Sequence, residues 1–177
     1  MTYTQHYDSP LGGILLAADD VGLTGLWFDG QKYFARGLFN ERIEQETSVL
    51  AEAKRWLDIY FTGKAPDFTP PLHPIGSAFR WSVWEILLQI PYGQTTTYGE
   101  IARQLAKKQG LDRMSAQAVG GAVGHNEISI IIPCHRVVGA DGSLTGYAGG
   151  IGKKEKLLEL ERADMSRFFV PKKGTAL

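Results

Sequence analysis

Residues 128 to 137 read Ile128-Ser129-Ile130-Ile131-Ile132-Pro133-Cys134-His135-Arg136-Val137. A β-branched run of this kind predicts a short buried strand, and Pro133 ends it because proline cannot donate to a ladder. Cys134, the only cysteine in 177 residues, then stands at a strand exit with a histidine and an arginine directly after it. A free thiol has a pKa near ~8.5, and an adjacent base or cation pulls it toward the thiolate. His135 and Arg136 are both placed to do this. The plainer alternative is a buried small hydrophobe with no chemistry.

Working outward, Asn126 lies just before the strand, where its amide can hydrogen-bond a nearby turn and hold it, or serve as an ordinary loop residue. On the other side, Gly152 to Ala163 reads as a helix with Leu157, Leu158 and Glu161 at spacings of three and four, which puts Glu161 on the apolar face. An acid near such a face either snorkels to the rim or finds a buried partner, and the obvious partner is a histidine. Cys134, His135 and Glu161 would then be nucleophile, base and orienting acid.

The first part of the chain has a different pattern. Tyr3–Tyr7, Leu11–Ala18 and Leu23–Phe28 are short apolar runs broken by Ser9-Pro10 and Asp19-Asp20-Val21-Gly22, as expected of strands joined by tight turns. A helix follows, capped by Thr47 or Ser48, with Leu50, Ala53, Leu57 and Phe61 on one face. Residues 63–75 hold Pro66, Pro70, Pro71 and Pro74 and read as a linker. The chain thus divides into 1–75, a supporting α/β domain, and 76–177, the domain that carries Cys134.

Beyond residue 75 the reading is mostly helical. Ser77 caps a helix with Phe79, Val83, Leu87 and Ile90, ended by Pro91 and Gly93. Thr97-Tyr98-Gly99-Glu100 is a capping box opening a second helix with Ile101 and Leu105 inward. Ser115 caps a third that runs through Val123. Two short helices with a turn between them, preceded by Lys107, Lys108 and Arg113, suggest a helix-turn-helix. Ala116, Ala118, Gly120, Gly121 and Ala122 would let the third helix approach either a bulky external surface or the core.

Composition narrows the classes. A chain with 44% hydrophobic residues buries a full core, about 70% of its unfolded surface at this size. No apolar run has membrane-spanning length, and Met1 to His6 lacks the basic and apolar regions of a signal peptide. A soluble, cytoplasmic protein is expected, since a single thiol fits a reducing compartment and can form neither an internal disulfide nor a multi-cysteine zinc cluster. Net charge is zero, yet residues 1–75 hold 6 Lys and Arg against 10 Asp and Glu, whereas residues 76–177 hold 13 against 9. The basic half is the half with the thiol, a modest sign of an anionic partner. Tyr147 to Lys154 ends in Gly-Lys but lacks the first glycine and the final Ser or Thr of a P-loop. His6, His73 and His125 show no metal-ligand spacing, and Lys172-Lys173 reads as a solvated tail.

Pro133-Cys134-His135-Arg136-Val137, with Asn126 before it and Gly146-Tyr147-Ala148-Gly149-Gly150 and Glu161 after it, resembles the O6-alkylguanine-DNA alkyltransferase family over most of residues 76–165. The resemblance implies an α+β protein: an N-terminal antiparallel β-sheet with a helix (ribonuclease-H-like), and a C-terminal, mainly helical winged helix-turn-helix domain. It implies a monomer acting once on double-stranded DNA, without cofactor or metal, by moving the alkyl group of O6-alkylguanine to Cys134; O4-alkylthymine is a second candidate lesion. His135 would take the thiol proton through a water, Glu161 would orient His135, and Asn126 would hold the turn.

The target base must be flipped out to meet a thiol. By the same resemblance, Tyr98 would assist rotation and help the purine leave, Ser115 and Arg136 would contact DNA, and main chain near Val137, Tyr147 and Ala148 would read the guanine edge. One departure is clear: Gln117 stands where the family inserts an arginine into the space left by the base. Glutamine lacks the cation and the stacking plane, so slower extrusion is expected. The Lys107 to Arg113 segment is also longer than the usual turn. Small residues at Gly139 and Ala148 suggest room for groups larger than methyl. Two rival readings are an alkyltransferase-like protein that binds the lesion without repair, which would lack the thiol, and a cysteine hydrolase, which would turn over.

Overall fold

The computed structural model describes residues 1–31, 34, 35, 38 and 41–171, so Lys172-Lys173 lies outside the described residues. The chain forms two compact units, one of Met1–Ile75 with Glu127–Ile131, the other of Gly76–Asn126 with Ile132–Leu177.

In the first unit β1 (Thr2–Ser9), β2 (Gly12–Ala18) and β3 (Leu23–Phe28) form an antiparallel meander. The Ser9 hydroxyl closes the first turn on the Gly12 carbonyl, and the Asp19 carboxylate accepts the amides of Val21 and Gly22 in the second. A fourth strand absent from the sequence reading, β4 (Arg42–Glu44), pairs parallel to β1, giving the order β3-β2-β1-β4. Helix α1 (Ser48–Tyr60) is capped by Thr47 and buries Leu50, Ala53, Trp56, Leu57 and Tyr60. Its apolar face lies against the sheet.

Two sequence expectations change here. The proline-rich stretch is no free tether, because Leu23 donates to the Pro71 carbonyl and His73 donates to that of Leu23, which pins residues 71–73 along β3. The Ile128–Ile132 run is buried as expected but is not a strand. Only Ile128 bridges to β3, at Leu26. Ile130 then takes φ 70, and Ile131 donates to the Ser129 carbonyl. That is a γ-turn in a conformation β-branched residues rarely adopt. A strained backbone of this kind persists only where its surroundings over-determine it.

In the second unit α2 (Ala78–Leu88), α3 (Tyr98–Gln109) and α4 (Ala116–Gly124) pack as a three-helix cluster. Ser77, Thr97 and Ser115 each cap the helix that follows, accepting from Arg80, Glu100 and Ala118. The Glu100 carboxylate, expected to complete a capping box, turns instead to Arg103. Trp84 anchors the cluster by donating to the Ala122 carbonyl at 3.0 Å from a fully buried position. Helices α3 and α4, joined by residues 110–115, are the helix-turn-helix. Strands β5 (Thr96–Thr97) and β6 (Val137–Val138) pair parallel as a minimal wing. Helix α5 (Ile151–Leu160) stops one residue short of Glu161, so Glu161 is its C-cap and not an interior residue. Val138, Leu144 and Leu158 form a small core covered by Ile151, Met165 and Phe168.

Candidate active site

Pro133 has φ −81 and ψ 65, and the Cys134 amide donates to the Ile132 carbonyl across it at 2.8 Å. This inverse γ-turn delivers Cys134 to the first position of a single 3₁₀ turn, Cys134–Arg136. Cys134 therefore enters a helical turn, where a strand exit was expected. The Asn126 amide nitrogen spans the turn, donating to the Ile132 carbonyl at 2.9 Å and to the Cys134 sulfur at 3.3 Å.

His135 and Glu161 are buried. The His135 Nε2 lies 2.6 Å from a Glu161 carboxylate oxygen. Arg136 donates to both oxygens of the same carboxylate, at 2.8 and 3.1 Å, and to the Ile90 carbonyl at 2.7 Å. The Gly93 amide adds a fourth donor at 3.1 Å. Gly93 is required at this point, since a Cβ there would sit 2.9 Å from the Glu161 carbonyl oxygen. Burial alone would raise the Glu161 pKa, but the bonds from His135 and Arg136 hold it well below the usual carboxylate range. An ionised carboxylate can only accept, so Nε2 of His135 carries the hydrogen and Nδ1 carries the lone pair. That Nδ1 is buried with no hydrogen-bond partner among the described residues. Burial keeps His135 below its ordinary pKa, with Glu161 pulling the other way, so the ring is a neutral base at physiological pH.

Arg136 corrects the sequence reading. It was expected at the DNA and beside the thiol; it is buried, and Glu161 takes up its charge. Its guanidinium also lies 5.8 Å from the centre of the Tyr92 ring. The thiol is likewise not brought below its ordinary value. Burial raises the Cys134 pKa, while the Asn126 amide and the Lys154 ammonium lower it only in part.

Lys154 is the residue the sequence reading missed. It is fully buried, and its Nζ donates to the carbonyls of Val137 and Thr145 at 2.5 and 2.7 Å. A signal existed, because Lys154 precedes Leu157, Leu158 and Glu161 by three, four and seven residues, on the same face of α5.

Tyr98, at the first position of α3, donates its hydroxyl to the Thr145 carbonyl at 3.2 Å. Burial, then the neighbouring Cys134, pushes its pKa up to about 12, so the phenol remains a proton donor. Tyr147 is buried with its ring edge-on to His135 at 6.4 Å, Ala148 is half-buried, and Val137 is buried. Ser115 and Gln117 are exposed at the start of α4, with the Ser115 hydroxyl occupied as a cap. Gly139 sits in a tight turn, where a Cβ would fall 2.3 Å from the Ser143 hydroxyl.

The outward face of α4 is bare. Ala116, Gln117, Ala118 and Gly121 are exposed, and a Cβ at Gly121 or Gly124 would meet nothing within 4 Å. Internal packing does not demand these glycines, although each costs about 1 kcal/mol in a helix relative to alanine.

A helix-turn-helix unit carrying a buried thiol, a neutral histidine and an ionised glutamate joins a DNA-binding fold to the parts of a cysteine nucleophile. Residues 78–163 match the model of the 6-O-methylguanine DNA methyltransferase DNA-binding domain, and residues 2–74 match its ribonuclease-like domain. The methylated-DNA–protein-cysteine methyltransferase of Methanosarcina acetivorans is 44% identical over 90% of this chain and 97% of its own length. That of Haemophilus influenzae is 38% identical over 90% and 86%. The crystal structure of the Mycobacterium tuberculosis O6-methylguanine methyltransferase superposes with a TM-score of 0.76 at 41% identity, covering 98% of this chain and 97% of that one. A structure of the M. tuberculosis protein with DNA gives the same score over 94% of each chain. This chain belongs to the methylated-DNA–protein-cysteine methyltransferase family.

Proposed function

We propose that the lesion this protein takes is O6-alkylguanine, flipped out of duplex DNA and dealkylated once by Cys134. At the coarser level the chain is a DNA-repair methyltransferase that carries an alkyl group from DNA to a cysteine. The observation that supports the finer reading is a pair of buried contacts in the DNA-binding domain: Asn126 donates to the Cys134 sulfur at 3.3 Å, and His135, the next residue, lies 2.6 Å from Glu161.

The reaction follows the course that the family resemblance implies, and the His135–Glu161 pair at 2.6 Å supports it. The thiol proton passes to the Nδ1 lone pair of His135, through a water in the family's manner, and Glu161 stabilises the imidazolium that results. The thiolate attacks the alkyl carbon, the S–C bond forms as the C–O6 bond breaks, and the electron pair stays on the purine. Tyr98 supplies a proton to the departing guanine and regains one from solvent, to which His135 also returns its proton. A thioether has no leaving path, so the reaction is stoichiometric. The bare face of α4 suits close approach to the duplex, with Gln117 reaching for the space left by the base. A monomer in a reducing cytoplasm suits both the lone thiol and the target.

The test is intact-protein mass spectrometry after incubation with a duplex carrying one O6-methylguanine, with Cys134→Ser as control. One methyl on Cys134, stopping at one equivalent, is the expected result; binding with no mass change overturns it. A parallel duplex with O4-methylthymine decides whether that lesion is also accepted. Continued turnover of an acyl ester with the thiol regenerated would instead mark a hydrolase.

A further inference from the structure

Between Asn126 and Ile132 the chain leaves the second unit, and Glu127–Ile131 pack with the first. The segment is gripped there at three points. Leu26 of β3 donates its amide to the Glu127 carbonyl at 2.8 Å and accepts from the Ser129 amide at 3.1 Å, a single parallel bridge. The third point is made by side chains: the Trp27 indole donates to the Glu127 carboxylate at 2.5 Å, across 100 residues of sequence. One bridge residue leaves a segment free to pivot, and a bond from the next residue of the strand removes that freedom.

The indole has a fixed seat. A Cβ at Gly25 would fall 2.0 to 2.4 Å from three carbons of the Trp27 ring, so the ring covers the Gly25 backbone, and Phe34 meets it edge-on at 6.4 Å. Trp27 is buried, and its N–H is aimed by the packing of the ring. An indole is satisfied by any acceptor. Here the acceptor belongs to the residue that directly follows Asn126.

That placement reaches the thiol. The Asn126 amide closes the excursion by donating to the Ile132 carbonyl at 2.9 Å and to the Cys134 sulfur at 3.3 Å. Within the excursion Ile130 takes φ 70, a strained backbone that must be held by its surroundings. A shift of Glu127 is therefore passed along the chain to Asn126 on one side, and release of the strained turn moves Ile132 on the other.

We propose that Trp27 and Glu127 are positioning residues of the transfer: their hydrogen bond clamps residues 127–131 on β3 and so keeps the Asn126 amide on the Cys134 sulfur. The inference rests on the alkyl-transfer reading above and adds two residues to it, one of them in a strand that carries none of the reacting groups.

The test is a double-mutant cycle on the full chain. Trp27→Phe keeps a ring over Gly25 and loses the donor, and Glu127→Ala loses the acceptor at a half-buried position. A misplacement of about 1 Å can cost about a hundredfold in rate, and each single substitution is expected to slow methyl transfer at saturating methylated duplex by about tenfold. Affinity for the duplex should not change, because the helix-turn-helix is untouched. The double variant should be no slower than the slower single one, since the same bond is lost only once. Glu127→Gln, which still offers an oxygen to the indole, should recover most of the rate. Unchanged transfer in the folded single variants, losses that multiply in the double, or no recovery with glutamine overturns the proposal. If Trp27→Phe does not fold, the Glu127→Ala and Glu127→Gln pair decides by the same criteria.

A second measurement needs no DNA. Cys134 is the single cysteine, so a pH series of the reaction with iodoacetamide reads its titration directly. The Asn126 bond favours the thiolate, and its loosening in Glu127→Ala should raise the inflection by about half to one pH unit, part of the worth of a charge-assisted hydrogen bond. A pair that served stability alone would lower the melting temperature and leave the inflection in place, and that result overturns the proposal. Failure of the wild type to repair DNA would contradict the functional reading, while the inflection would still decide the role of Trp27 and Glu127.

Discussion

Arg136 grips Glu161 by two hydrogen bonds of 2.8 and 3.1 Å, and this buried pair, not a contact with DNA, is what the arginine of the Pro-Cys-His-Arg-Val run does in the free protein. The consequence reaches the histidine. With the carboxylate held ionised, His135 must donate from Nε2, and its Nδ1 carries the lone pair.

Glu161→Gln leaves the Arg136 guanidinium buried without its anion. Breaking one side of a buried pair costs about 3–5 kcal/mol, and the tautomer of His135 is no longer imposed. We expect a large loss in thermal stability together with a slower transfer. The double substitution Arg136→Met with Glu161→Leu should recover much of the stability in a melting experiment yet leave the transfer slow. Equal recovery of both would show that the pair only fills space.

Asn126→Ala removes the donor to both the Ile132 carbonyl and the Cys134 sulfur. The Ile132 carbonyl keeps the Cys134 amide as a donor, so the loss of one buried hydrogen bond costs about 0.5–1.5 kcal/mol. Because the Asn126 bond lowers the thiol pKa, its loss should also move the inflection of iodoacetamide reactivity to higher pH. Stability is read by denaturant titration and the inflection by the pH series.

On α4, Gly121→Leu meets open space and replaces a poor helix former, so the folded protein should be unchanged or up to about 1 kcal/mol more stable. Binding to duplex DNA should weaken sharply, as the new side chain stands between the helix and the groove. Unchanged affinity in a fluorescence-anisotropy titration would place the DNA elsewhere. Gln117→Arg is expected to speed transfer from a duplex while leaving the rate with O6-methylguanine as a free base unaltered.

Stability should fall on mild acidification through His135. Its folded pKa lies below the unfolded value, so the unfolded chain binds more protons as pH drops beneath about 6.5, and folding loses free energy over that window. Glu161 acts in the same direction once pH falls beneath about 4.5, where the unfolded carboxylate takes up a proton and the folded one does not. Melting temperatures from pH 8 to 4 should decline from about pH 6.5 downward, and His135→Gln should flatten that decline.

Much of this molecule was legible in the residues alone. The helix caps at Thr47, Ser77, Thr97 and Ser115 and the three strands of the meander follow from local chemistry: a hydroxyl three residues from an orphan amide, alternation of side chains, proline and glycine at turns. A histidine partner for Glu161 could be anticipated because a helical spacing put an acid on an apolar face. What the tertiary structure decided is where the charges go. The run Ile128–Ile132 has strand propensity, yet Ile130 is driven to positive φ because the chain must leave β3 and present Cys134 within reach of Asn126. Arg136 and Lys154 are equally basic in the sequence, and only the tertiary structure gives the first a carboxylate partner and seats the second on two carbonyl oxygens. Pairwise electrostatics in a low-dielectric interior depend on distances of a few ångströms between residues far apart in the chain, and no local pattern encodes those distances.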